Sequence, residues 1–278
     1  MAGPLEKISG ALRVHRCDLA SSVAVGELLR RLRPTLVVNL ARGRGEASAE
    51  QRRRLLRDTL FSAAELLESA RNVGCERFVQ LGSPTEYGPA DVPLAEERRL
   101  EPRTALGAAK AAATELCLAA DRGGGLRAAV LRPFVVYGPG ERPERLISRA
   151  ISAAREGRAV RLTGSDACRD WVYVDDVVEG CMLALDGRAD GEAVNLATGV
   201  QTSNREVVDL VAATLGRPIQ IDPEPEPARP WDAASWVGAT QKASRLLDWR
   251  ARTPLASGIA ALAGEAEALP AADTGWAG

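Results

Sequence analysis

The chain is expected to fold as an α/β protein around a mostly parallel, helix-covered sheet. As far as about residue 139, short apolar runs alternate with stretches of helical periodicity, the order that builds strand–helix–strand units. Leu36-Val37-Val38-Asn39-Leu40 reads as one continuous apolar run, as in a parallel strand buried on both faces. With 278 residues, 46% of them hydrophobic, the chain can bury the core of one large domain, or of a domain with a smaller lobe.

Each element follows from local signals. Residues 12–17 read as a short strand, and 23–33 as a helix capped by Ser21 or Ser22 and ended by Pro34. After the strand at 36–40, residues 49–73 form a long helix that stops at Gly74. A strand at 77–81, a helix at 107–120, a triple-glycine turn at 123–125 and a strand at 128–131 come next. Beyond 139 the pattern loosens into helices at 145–156, 175–185 and 204–215, with strand candidates at 160–162 and 194–196. The prolines between 223 and 230 make a loop, and the tail from 267 reads as frayed and flexible. The expected division is a core over 1–140 joined by 170–200, a smaller lobe from 141–169 and 201–266, and a tail over 267–278.

The totals exclude several classes. A formal net charge of −1 argues against a nucleic-acid or membrane-surface protein. No apolar run is long enough to span a bilayer, and residues 1–10 lack a signal-peptide pattern. Five scattered cysteines without a CxxC pair point to reduced thiols and a cytoplasmic location. His15 is the single histidine, so a zinc site is not expected. Arg52, Arg53 and Arg54 read as a solvated helix face. Trp171, Trp231, Trp236 and Trp249 read as packing anchors.

Chemistry concentrates in a few blocks. Leu81-Gly82-Ser83-Pro84-Thr85-Glu86-Tyr87-Gly88 follows a predicted strand, at the sheet edge where open α/β proteins bind ligands. Lys110 opens a helix in Leu106-Gly107-Ala108-Ala109-Lys110. Further blocks are Leu131-Arg132-Pro133-Phe134-Val135-Val136-Tyr137-Gly138-Pro139-Gly140, Arg169-Asp170-Trp171-Val172-Tyr173-Val174-Asp175-Asp176-Val177, Asn195-Leu196-Ala197-Thr198-Gly199 and Arg229-Pro230-Trp231-Asp232. In this order and spacing they resemble the extended short-chain dehydrogenase/reductases that act on nucleotide sugars, over about residues 12–261.

The resemblance implies a Rossmann-like doubly wound parallel sheet, N-terminally truncated, with a smaller C-terminal substrate-binding lobe. It implies catalytic roles for Ser83 and for Lys110, which falls on the lysine of the YxxxK motif. It implies that Arg169 and Arg229 grip a nucleotide diphosphate, a task suited to the planar guanidinium. Thr85 and Tyr137 join them as substrate-binding candidates. Asp18, matching an aspartate on the adenine side of the cofactor, and Lys110 are the cofactor-binding candidates. The wording around Ser83 is most like relatives that reduce or epimerise 4-keto sugars. Pro84 and Thr85 stand where dehydratases carry an Asp-Glu pair, so dehydration is disfavoured.

Departures weigh as much. The YxxxK tyrosine position is Leu106, which cannot exchange a proton. Tyr87 and Tyr137, the nearest phenols in the motifs, match structural positions. Asp58 and Val135 replace asparagines that support the active site and the substrate nucleotide. The cofactor implied is NAD(P), yet the Gly-rich turn that would bind its pyrophosphate is missing. Gly43-Arg44-Gly45 lacks the third glycine and reads as a flexible loop. The missing opening unit is expected to leave a gap between the strands at 12–16 and 36–40, closed by their direct pairing or by a second copy in a homodimer. Three functions stay open. The first is a degenerate homologue that keeps a site for a nucleotide sugar or other phosphorylated ligand without ordinary hydride transfer. The second is an NAD(P)-dependent epimerase or 4-keto reductase seen without its N-terminal segment. The third is a non-catalytic binding protein.

Overall fold

The computed structural model describes residues 12–90, 92–164, 167–226 and 235–268. Helix α1 (Ser22–Leu32) starts where the Ser21 side chain accepts the Ala24 N–H, and ends at Arg33 in the left-handed conformation ahead of Pro34. Strand β1 (Leu36–Asn39) follows. Helix α2 (Ala49–Leu56) opens with a Ser48/Gln51 capping box and runs through a π-helical turn, Arg57–Phe61, into α3 (Ser62–Asn72). The expected single helix is therefore continuous but widened in its middle. Strand β2 (Arg77–Leu81), helix α4 (Ala105–Arg122) and strand β3 (Arg127–Pro133) complete the first half.

In the second half come β4 (Val135–Tyr137), α5 (Leu146–Glu156), β5 (Cys168–Arg169), β6 (Trp171–Tyr173) and α6 (Val174–Leu185). Then β7 (Ala193–Leu196), β8 (Thr202–Ser203), α7 (Asn204–Leu215), β9 (Ser235–Trp236), α8 (Gln241–Leu247) and α9 (Leu255–Ala268) follow. Helix α9 carries regular structure to 268, past the expected start of the tail, and 269–278 lie outside the described residues.

The main sheet has the order β1-β2-β3-β7 and is parallel throughout. Alternate side chains feed opposite faces. Phe78, Ala128 and Val130 meet Val25, Leu29, Leu66 and Ala70 from α1 and α3. Val79, Ala129 and Leu131 meet Val177 and Ala184 of α6, with Leu247 and Trp249. Both faces are covered, as a parallel sheet requires. A separate core forms where α5, α7 and α9 close on the short β4–β6 pair. Trp171, Trp236 and Trp249 are buried anchors, as expected, while Trp231 lies outside the described residues.

One expected strand does not form. Residues 12–17 have no regular structure and pair with no strand, and Val14 is 61% exposed. Only Cys17 and Leu19 touch the core. Alternating apolar residues make a strand only where a neighbour accepts their backbone groups. Direct pairing with 36–40 is thus corrected: among the described residues β1 is an edge of the sheet.

Two glycines of α9 give a paired prediction. A Cβ on Gly258 would sit 2.2 Å from the Tyr137 hydroxyl oxygen, and Tyr137 is held edge-on by Trp171 and Tyr173. At Gly264 nothing lies within 4 Å. Gly258→Ala should destabilise the fold by about 1–3 kcal/mol through overpacking. Gly264→Ala should stabilise it by up to about 1 kcal/mol through helix propensity. Urea denaturation of the two variants checks the opposite signs.

Candidate active site

The site is built at the carboxyl ends of the parallel strands. Beyond β2, the Gly82 N–H continues the ladder to the Leu131 carbonyl at 2.7 Å. A Cβ on Gly82 would fall 2.5 Å from Glu86 Oε1, so only glycine lets the chain turn here. Ser83 then caps the 3₁₀ turn Pro84–Glu86: its Oγ accepts the Thr85 N–H, and Glu86 Oε1 accepts the Ser83 N–H at 2.7 Å. Ser83 Oγ and Thr85 Oγ1 lie 2.8 Å apart, so the two expected hydroxyls do come together.

Beneath them lies a buried polar network. Glu86 Oε2 accepts Thr114 Oγ1–H and Arg132 Nε–H, each at 2.9 Å. Arg132 Nη1 donates to the Tyr87 hydroxyl, which donates to Asn195 Oδ1 at 2.7 Å. Burial pushes the Tyr87 phenol up, well above its ordinary range. Tyr87 is therefore a structural donor, not a substitute proton carrier.

Lys110 enters from the second turn of α4 and is 4% exposed. Its Nζ donates to the Leu81 carbonyl at 2.6 Å and to the Ala41 carbonyl at 3.4 Å. Burial lowers its pKa to about 8, with Glu86 opposing the shift and Arg42 adding to it. Leu106, where the resemblance expects a phenol, lies in the first turn of the same helix. The backbone N–H groups of Leu106 and Ala105 are taken by the two carboxylate oxygens of Glu46, at 3.1 and 3.3 Å. An acidic group at a helix N-terminus is favoured by the dipole.

The loop carrying Glu46 is anchored, not the flexible segment expected. Asn39 Oδ1 accepts the Ala41 N–H, Thr59 Oγ1 accepts the Gly43 N–H at 2.8 Å, and Gln51 Oε1 accepts the N–H groups of Ala47 and Ser48. Thr59 reaches Gly43 from the π-helical turn, a feature that re-aims side chains near sites.

Other expected site residues are placed elsewhere. Tyr137 is buried in the second core and directs its hydroxyl at the Leu255 carbonyl. Asp18 pairs with Arg57 and accepts the Ala20 N–H ahead of α1. Arg169 Nη1 donates to the Cys168 carbonyl at 2.7 Å, on a small sheet ordered β8-β5-β9. Asp170 is fully buried and takes the N–H groups of Thr198, Gly199 and Gly238. Arg229 lies outside the described residues. Among the described residues no acidic, cysteine or histidine cluster could hold a metal, and no helix is long and apolar enough to cross a membrane.

A model of the NAD dependent epimerase/dehydratase family matches residues 2–197, well over half of the chain. The chain belongs to the NAD dependent epimerase/dehydratase family. Among curated relatives, the dTDP-glucose 4,6-dehydratase of Streptomyces griseus is 34% identical over 58% of this chain and 50% of its own length. The UDP-glucose 4-epimerase of Mycolicibacterium smegmatis is 31% identical over 72% of this chain and 66% of its own. The match thus spans about half to two thirds of these relatives. Among solved structures, MoeE5 in complex with UDP-glucuronic acid and NAD aligns with a TM-score of 0.84 and 34% identity, covering 94% of this chain and 87% of that one.

For this family member, the fit of a nicotinamide dinucleotide can be tested on its own residues. In the 41–48 loop the backbone amides of Ala41, Gly43, Ala47 and Ser48 already have hydrogen-bond acceptors within the protein, so those four are not open to a pyrophosphate. The ammonium of Lys110 gives two of its three N–H groups to carbonyls, and Leu106 brings no hydroxyl.

Sequence reasoning passed over Glu46, Glu86 and Arg132. Glu86 had a signal: Ser-x-x-Glu is a capping-box spacing. Glu46 had none, because it caps a helix about sixty residues further along.

Proposed function

We propose that the chain is a degenerate nucleotide-sugar epimerase/reductase homologue, binding a phosphate-bearing ligand and carrying out proton chemistry or isomerisation without ordinary hydride transfer. The observation that carries this reading is Lys110: its ammonium is held by the Leu81 and Ala41 carbonyls, and no phenol stands at 106. The Ser83 and Thr85 hydroxyls form the hydrogen-bonding face for a sugar oxygen, and Lys110 lies one carbonyl away to favour negative charge there. Arg169 and Arg229 belong to the same reading as diphosphate contacts. So do a cytoplasmic location, supported by the five free thiols, and a second copy of the chain against the outer edge of β1.

Exchange of the hydrogens beside the carbonyl of a nucleotide 4-keto sugar with deuterated water, followed by NMR, is the direct test. Wild type should exchange, and Ser83→Ala should slow it by about 10²–10⁴-fold with binding retained. Turnover read at the nicotinamide absorbance would sink the proposal. It would favour the second reading, an NAD(P)-dependent epimerase or 4-keto reductase, which is supported by the NAD named with MoeE5. Binding without exchange would leave a non-catalytic protein.

A further inference from the structure

Proton chemistry on a sugar needs a group that takes a proton and gives it back, and the side chains around the Ser83 turn narrow the choice. Lys110 is buried on two carbonyls, and Tyr87 is buried with its hydroxyl given to Asn195. Glu86 is 0% exposed and paired with Arg132. Asp18 and Asp58 are both paired with Arg57, and His15 stands apart, against Arg31 of α1. Glu46 is placed differently. It is half-buried, as are Ser83, Thr85 and Leu106, so none of the four is sealed from a ligand. Its carboxylate accepts the backbone N–H groups of Leu106 at 3.1 Å and Ala105 at 3.3 Å. Among the described residues it forms no ion pair within 4 Å.

Three contacts bring this carboxylate to the Ser83 side of the fold. Gly107, the residue after Leu106, backs directly onto the Ser83 turn: a Cβ there would lie 2.4 Å from the Thr85 carbonyl oxygen. Thr85 Oγ1 in turn lies 2.8 Å from Ser83 Oγ. Lys110, one turn further along α4, donates to the Leu81 carbonyl and to the Ala41 carbonyl, which ties the strand end before Ser83 to the start of the loop that carries Glu46. The hydroxyl pair and the carboxylate therefore flank the same first turn of α4, where position 106 holds no phenol. A carboxylate oxygen has two acceptor sites, so each Glu46 oxygen keeps one open after its hydrogen bond to the helix. Backbone N–H groups cannot turn away, and the 41–48 loop is itself pinned, so the carboxylate is held in place before any ligand arrives.

We propose that Glu46 is the proton carrier of this site, a carboxylate in the place of the absent phenol. The inference rests on the proton chemistry proposed above and names the base which that chemistry requires. One Glu46 oxygen takes the proton from the carbon beside the carbonyl of a nucleotide 4-keto sugar. The C–H electron pair becomes a carbon–carbon double bond, and the carbonyl π pair moves onto its oxygen. The resulting enolate oxygen accepts a hydrogen bond from the Ser83 or Thr85 hydroxyl. Return of the proton from Glu46, or of a deuteron gained from solvent, restores the ketone, so nothing is oxidised or reduced.

The test uses the full chain and a UDP-linked 4-keto-6-deoxyglucose in deuterated water, with exchange followed by NMR. Glu46→Gln should slow exchange by about 10²–10⁴-fold in kcat with KM little changed, the loss expected of a general base. Glu46→Asp should recover part of that loss, because the carboxylate is kept on a shorter stem. Thr104→Ala is the structural control. Thr104 Oγ1 accepts the Gly107 N–H at 2.9 Å, so this variant also takes one acceptor from the first turn of α4, as Glu46→Gln does, but removes no proton carrier. The two variants should melt alike, and Thr104→Ala should exchange near the wild-type rate. Should Glu46→Gln not fold, Glu46→Asp decides: slower exchange with the melting midpoint kept supports the proposal, and the wild-type rate overturns it. Exchange by Glu46→Gln at the wild-type rate, or an equal loss in Thr104→Ala, overturns the role of Glu46 and leaves the proposed proton chemistry standing. No exchange by wild type overturns both.

Discussion

Replacing Glu86 with glutamine should cost the fold about 3–5 kcal/mol, among the largest effects of any single substitution in this chain. Glu86 and Arg132 are an ion pair at 2.9 Å with side chains 0% and 3% exposed. Neither has water to fall back on. Glutamine keeps the size but leaves the guanidinium uncompensated in a medium where an isolated charge is expensive. Arg132→Met should cost a similar amount by stranding the carboxylate. The double variant should lose less than the two together, because removing both charges removes the desolvation penalty as well. Denaturant midpoints for the three variants decide the matter, and strict additivity would show that the pair is not coupled. Glu86→Gln should also disturb the Ser83 turn, since the amide can accept the Ser83 N–H only by giving up a donor's orientation elsewhere in the network.

Lys110 should make stability rise with pH through an unusual window. Its folded pKa is about 8 against an ordinary 10.5. In the folded state it releases its proton first, so between pH 8 and 10.5 the unfolded chain binds more protons and stability climbs with pH. The full span corresponds to about 3 kcal/mol. Below pH 8 the folded protein bears the whole penalty of a buried ammonium. Buried Cys117 and Cys181, whose thiols burial pushes up, work the other way once unfolded thiols ionise. The clean readout is therefore the difference between wild type and Lys110→Met from pH 7 to 9.5, measured by urea denaturation. A flat difference would mean that the ammonium is not desolvated.

Much of the fold was legible because its signals are local. The 77–81 strand and the 204–215 helix match their predicted limits, and α1 begins at a serine and ends before a proline as read. Residues 12–17 show the limit of local reading. Their pattern suits a strand, but no neighbour is there to complete it. Strands β4 and β6 escaped notice because three residues carry too little periodicity to be seen. Ser83 and Thr85 come together within their motif, and Lys110 reaches the Leu81 carbonyl two residues before Ser83. Tyr137 lies against Gly258, a packing contact that the Tyr-Gly wording at 137–138 does not foretell.

The pinned loop at 41–48 has a consequence in time as well as in space. Its backbone is held by Asn39, Thr59 and Gln51 before any ligand arrives. A cradle that needs no folding gives up little conformational freedom on binding, and no slow rearrangement stands between encounter and complex. A ligand that reaches the carboxyl edge of the sheet should therefore meet a loop already in place at 41–48.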